Sequence, residues 1–333
     1  MSNREDLERI ISECTKAIRL DKKNDMAYFQ RGFAYTQLEQ YYRAISDFSE
    51  TINLNPKDPA VFALRAYCYF SLEEYSRAIL DYSKSFSLGS KDMALYYYRG
   101  KCYFFIEEYK KAVEDLNKAI PVFPDNYDAY IWRGCAYGKL GDYDRALKDL
   151  NKGISIEPNE PHYYAYRAYV YEEANRPKKA IKDYTRAINL DDGQVHFYLY
   201  RGRNYLETDQ FEKSIEDYKR VLEMDSNIDC EIEAYINLGC AYNNLDEFEE
   251  GIKNLTLAIE MEDIEEAALA TAYNNRGECY MHLKRYKEAI KDFENSLKID
   301  PQYDKVINCL EKCRLILLNR SMISKLAKKF KKK

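Results

Sequence analysis

Small residues recur in this chain every 34 positions, at Gly32, Ala66, Gly100, Gly134, Ala168 and Gly202. A fixed period of that length constrains the fold more than any bulk property. Each period must be one supersecondary unit that cannot bury its apolar face alone and is covered by the next. Gly239 and Gly277 continue the series at steps of 37 and 38. The surplus is about one helical turn, which predicts longer first helices in the last two units.

If each unit is counted so that the small residue takes place 8, tyrosines stand at places 4 and 11, as in Tyr28 and Tyr35, Tyr96 and Tyr103, Tyr130 and Tyr137. This is helical spacing. A second helix follows with alanine at place 20 (Ala44, Ala78, Ala112, Ala146, Ala180, Ala289), and proline often ends it (Pro56, Pro124, Pro158, Pro301). Small residues let the paired helices approach, and proline stops the second one. Pro177 stands in a turn, where it can begin a helix.

This pattern resembles the tetratricopeptide repeat family. The resemblance implies an all-α fold, a right-handed α-solenoid of stacked helix-turn-helix repeats. Eight units are expected over residues 25–302, with Ser214 and Gly251 departing from alanine at place 20. Residues 1–24 align with a second helix and are expected to form an N-terminal capping half-repeat. Residues 303–319 are expected to form a capping helix, and residues 320–333 a basic tail.

Place 7 holds Arg31, Arg65, Arg99, Arg133, Arg167, Arg201 and Arg276, and place 23 holds Asp47, Asp81, Asp115, Asp149, Asp183, Asp217 and Asp292. The seventh unit has Leu238 and Asn254 instead, so cation and anion disappear together. That joint loss points to a structural ion pair; the alternative is a free arginine row that captures anions.

Chemistry has little to work with here. There are three histidines, His162, His196 and His282, and no Walker-type loop, dinucleotide glycine fingerprint, HExxH pair or GxSxG elbow. His162 and His196 share place 2 of adjacent units, but two histidines make a poor metal site. Cys309 and Cys313 read as packed thiols. We expect no enzyme, cofactor or metal. Nine scattered cysteines fit a reducing compartment. The charged start and the lack of a long apolar run lead to the expectation of a cytoplasmic protein.

In the resembled family, places 2, 5, 6, 9, 12 and 13 of the first helix line a concave surface that holds peptides. Here those places carry aromatic residues, Tyr67, Phe70, Tyr97, Tyr98, Phe104, Trp132, Tyr166, Tyr169 and Tyr200, with cations Lys101 and Arg203. Asn237, Asn244, Asn274 and Asn275 follow in the last units, and amides can bond both C=O and N–H of an extended backbone. The implied partner is a protein or peptide segment. The family's chaperone-tail clamp needs lysine at place 5 and asparagine at place 9, a combination that no unit supplies; the first has Phe29 and Phe33.

Residues 320–333 contain seven cations (Arg320, Lys325, Lys328, Lys329, Lys331, Lys332, Lys333) and no acid. The rest of the chain is therefore more acidic than the whole-chain charge of −5. That argues against nucleic acid in the groove. It leaves an alternative function in which the basic tail makes weak contact with an anionic membrane or RNA while the repeats recruit a partner.

Overall fold

A computed structural model describes the backbone of residues 4–330 and the side chains of residues 4–323. Among the described residues every regular element is a helix. The chain divides into two compact units, residues 1–159 and 160–333.

In the first unit α1 (Arg4–Leu20) precedes four helical hairpins: α2 (Asp25–Gln37) with α3 (Tyr41–Leu54), α4 (Pro59–Ser71) with α5 (Tyr75–Ser87), α6 (Ala94–Phe105) with α7 (Tyr109–Ala119), and α8 (Tyr127–Lys139) with α9 (Tyr143–Ile156). The second unit has α10 (Pro161–Glu173) with α11 (Pro177–Leu190), α12 (Val195–Glu207) with α13 (Phe211–Glu223), α14 (Ile228–Asn244) with α15 (Phe248–Glu260), and α16 (Glu266–His282) with α17 (Tyr286–Ile299), followed by α18 (Asp304–Phe330). Within each unit every helix packs on the one before it and the one after it.

The expected longer first helices are present. α14 and α16 have 17 residues each, against 12 or 13 in the other first helices. Proline begins α4, α10 and α11, the last at Pro177. The turn within each hairpin passes through one left-handed residue, supplied by Glu39, Glu73, Glu107, Asn175, Asp209, Asp246 and Lys284 at φ between 53° and 64° and by Gly141 at 78°. Glycine suits that region best, since it has no Cβ to clash.

Place 8 is small because the second helix of the hairpin crosses it. A Cβ on Gly134 would lie 2.9 Å from Cγ of Leu150, and one on Gly239 would collide with Cγ of Leu255. Place 20 is the reciprocal contact, and its alanines Ala44, Ala78, Ala112, Ala146, Ala180 and Ala289 are fully buried. Rings on the second helices fill the space between, with Phe48, Tyr82, Tyr218 and Phe293 completely enclosed.

The arginines at place 7 are structural. Each grips its hairpin's aspartate with two parallel bonds, Nε and one terminal nitrogen donating to the two carboxylate oxygens at 2.6–2.9 Å. The aspartates are 4–9% exposed and the arginines 15–18%. Burial works against the charge of Arg133, yet the bonds to Asp149 hold its pKa above the usual value. The ring at place 4 lies one turn earlier, and the guanidinium sits 5.6–5.8 Å from its centroid in Arg31–Tyr28, Arg99–Tyr96, Arg133–Tyr130 and Arg201–Tyr198.

The remaining arginine nitrogen reaches the preceding hairpin. It donates to Thr15 from Arg31, Ser49 from Arg65, Ser83 from Arg99, Asn117 from Arg133, Thr185 from Arg201 and Thr256 from Arg276, at 2.7–3.2 Å. One side chain thus closes its own hairpin and ties it to its neighbour. The sequence carried that third partner as a serine, threonine or asparagine at place 25. Lys219 occupies this place just before the unit that lacks arginine.

α18 runs past Asn319, the expected end of the capping helix, into the basic segment. No glycine or proline interrupts that stretch, and its leucine, lysine and alanine are good helix formers. Lys331, Lys332 and Lys333 lie outside the described residues.

Candidate partner-binding faces

Two sets of first helices carry the candidate residues, one in each unit. In the first unit α4 brings Tyr67 and Phe70, α6 brings Tyr97, Tyr98, Lys101 and Phe104, and α8 brings Trp132; all seven are half-buried. The rings pack edge to face. Tyr98 stands 5.7 Å from Tyr67, 5.8 Å from Phe70 and 5.0 Å from Tyr97. Trp132 stands 5.0 Å from both Phe104 and Phe105, and Phe105 keeps 40% of its surface open.

Lys101 joins the two groups of rings. Its ammonium lies 5.6 Å from the centroid of Phe70, 5.3 Å from Tyr97 and 5.0 Å from Trp132. It is also paired with Asp128 of α8 at 3.0 Å, and the Tyr97 hydroxyl donates to the same carboxylate. With 16% of its side chain exposed, this cation is largely spent inside the protein.

In the second unit Tyr166 and Tyr169 on α10 are half-buried. On α12 Tyr200 lies 5.9 Å from Tyr184 and 5.2 Å from the Arg203 guanidinium. Arg203 is exposed but paired with Glu233 of α14. A third bond of this kind joins Glu278 of α16 to Lys305 of α18 at 2.6 Å. In all three, place 9 pairs with place 2 of the next hairpin or, for Lys305, with the second residue of α18, a contact the charges alone did not disclose because its members are about one repeat apart.

The asparagines separate by depth. Asn237 and Asn275 are half-buried and Asn244 is exposed, donating to its own helix at the Cys240 carbonyl at 2.9 Å. Asn274 is 1% exposed and donates to Asn275 Oδ1 at 3.2 Å, so it supports the face instead of forming it. Place 5 lies close to the hairpin core here, as Ile131, Leu199 and Ile236 at the same place show. Asn243, on the same helix as Asn237, has a shielded Oδ1 with no hydrogen-bond partner among the described residues.

His162 bonds Glu160 at 2.9 Å, and His196 lies 3.9 Å from Cys230 Sγ. Cys313 is buried against α17. Among the described residues no group of three His, Cys, Asp or Glu side chains could hold a metal ion, and no helix is long and apolar enough to cross a membrane.

Stacked two-helix hairpins with partly open rings and amides on their first helices define a helical-repeat interaction protein. Tetratricopeptide repeat models match residues 127–160 and 270–303, and also 27–58, 94–126, 161–193, 195–228 and 232–264. The chain belongs to the tetratricopeptide repeat family, whose members are generally non-catalytic protein-interaction scaffolds. The stretch between the first two matched hairpins forms α4 and α5 with the Arg65–Asp81 pair intact.

A search of curated proteins finds no match. Among solved structures the chain is similar to a tetratricopeptide repeat protein from Parabacteroides merdae, at 16% identity over 75% of this chain and 99% of that one, with a TM-score of 0.56. It is also similar to the APC/C hetero-tetramer Cut9–Hcn1, at 14% identity over 88% of this chain and 56% of that one, TM-score 0.55. A third is YrrB, described as a TPR protein with an unusual peptide-binding site, at 19% identity over 55% and 95% of the two chains, TM-score 0.50.

Proposed function

We propose that this protein is a non-catalytic adaptor whose first helices hold an extended segment of a protein partner. The observation that carries this reading is the contrast between rings in the first unit. Those on the second helices, Phe48 and Tyr82, are completely enclosed, whereas Tyr67, Phe70, Tyr98, Phe104 and Trp132 on three successive first helices remain partly open. A contiguous apolar patch on a protein surface marks a partner site, and rigid rings supply contact area at low entropic cost. Since Lys101 is already neutralised by Asp128, the patch favours apolar side chains over an acidic segment.

In the second unit the half-buried Asn237 and Asn275 offer amides to a segment's backbone. The test is selection of binding segments from a displayed peptide library, followed by titration against variants. Trp132→Ala is expected to lower affinity about thirtyfold, or roughly 2 kcal/mol, and Asn237→Ala by less, with the circular dichroism spectrum retained. Unchanged affinity in both variants moves the site off these faces.

A further inference from the structure

α18 has two apolar faces, and only one is used by the fold. Its first half buries Val306, Leu310 and Cys313 against α17. From Leu315 onward, while Ile316 and Leu317 stay half-buried, four large apolar residues open outward: Leu315 is 59% exposed, Leu318 56%, Met322 48% and Ile323 66%. Leu315, Leu318 and Met322 are spaced i, i+3, i+7, so they form one stripe. At about 100° per residue Leu315 lies half a turn away from Val306, on the side facing away from the repeats.

The sequence continues that spacing at Leu326 and Phe330, still within the helix. Arg320, on the opposite side, turns back toward the repeats with its guanidinium 5.0 Å from the centroid of the Tyr286 ring. A helix with an open apolar stripe that runs into a segment of seven cations and no acid from residue 320 onward has the composition of an interfacial helix.

We propose that α18 from Leu315 onward is a docking surface for an anionic lipid bilayer, lying flat with its apolar stripe among the acyl chains and its cations at the headgroups. Charge complementarity selects this occupant. RNA would use the cations but has no need of Leu315, Leu318, Met322 and Ile323. A second copy of the chain would bring two sets of seven like charges together. The acidic repeats are repelled by the same bilayer, which favours contact through this helix.

The test is cosedimentation of the full chain with sucrose-loaded vesicles of phosphatidylcholine alone or with phosphatidylserine, at low and moderate salt, beside a single-stranded RNA binding assay. Binding is expected on the phosphatidylserine vesicles and weaker at higher salt. The double variant Leu318→Glu with Met322→Glu alters exposed positions, so helical content should be retained. It should weaken vesicle binding at least about tenfold. Three results would each overturn the proposal: no pelleting with anionic vesicles, equal pelleting of the double variant, or a concentration-dependent dimer that the double variant abolishes. RNA binding that survives in the double variant while vesicle binding is absent would assign the segment to nucleic acid.

Discussion

The hairpins α8–α9 and α14–α15 solve the same closure problem by different means. In the first, Arg133 and Asp149 meet in a two-bond ion pair and Arg133 also reaches Asn117. In the other, Leu238 is 2% exposed, and Asn254 turns to its own helix, donating to the Glu250 carbonyl at 2.8 Å. Lys219 stands where Asn117 does, so all three members of the polar set are exchanged together. The apolar version is also packed more tightly around its small residues. Place 20 falls from Ala146 to Gly251, and the hypothetical Cβ at place 8 is nearer its leucine in α14 than in α8. Charge is therefore dispensable for closing the hairpin, provided the space it occupied is taken up.

The largest expected effect comes from breaking the polar set halfway. Arg133→Leu leaves Asp149 buried without its cation and should cost about 3–5 kcal/mol in chemical denaturation. Adding Asp149→Asn imitates the seventh unit and should recover most of that loss. Additive losses in the two single variants and the double would show that the residues act independently.

A smaller effect tests the close approach in α14–α15. A Cβ on Gly251 would lie 3.2 Å from both Cys279 Sγ and the Gly239 carbonyl. Gly251→Ala should therefore destabilise by about 1–2 kcal/mol through overpacking, despite the better helix propensity of alanine. A stabilised variant would mean that the helices have slack at this crossing.

The smallest effect concerns a carboxylate whose bonded partners are neutral. Glu172 accepts from Tyr184 and from Asn204, and burial pushes its pKa up, offset in part by those donors and by Arg203. The folded state then binds a proton more readily than the unfolded one. Its stability contribution is present at low pH and lost as pH rises from the ordinary carboxyl range through the raised folded value. Glu172→Gln should remove that slope and gain about 1 kcal/mol or less at neutral pH. An unchanged pH profile would mean that Glu172 is ionised at no cost.

The hairpins were legible because their contacts repeat: Gly32 meets Phe48 as Gly134 meets Leu150, and the spacing survives in the letters. The ion pairs were legible through their joint absence at Leu238 and Asn254. The candidate faces were less so. Periodicity places Lys101 on an inner stripe, but only three-dimensional packing puts Asp128 beside it. It likewise cannot tell Asn274, enclosed by its neighbours, from half-open Asn275. Residues 320–333 read as a charged tail because they hold seven cations and no acid, while the absence of a helix breaker was the signal that mattered.

The reach of each arginine to the hairpin before it bears on how such a chain can change length. Thr15, Ser49, Ser83 and Asn117 are interchangeable acceptors, so a gene that lost or duplicated one whole period inside residues 25–159 would still present an acceptor to every arginine that followed. The junction of Lys219 with Leu238 lacks that freedom, since an arginine hairpin placed after Lys219 would meet a cation. Duplication in the second unit is thus constrained to respect one seam, since the sixth hairpin must keep the seventh behind it.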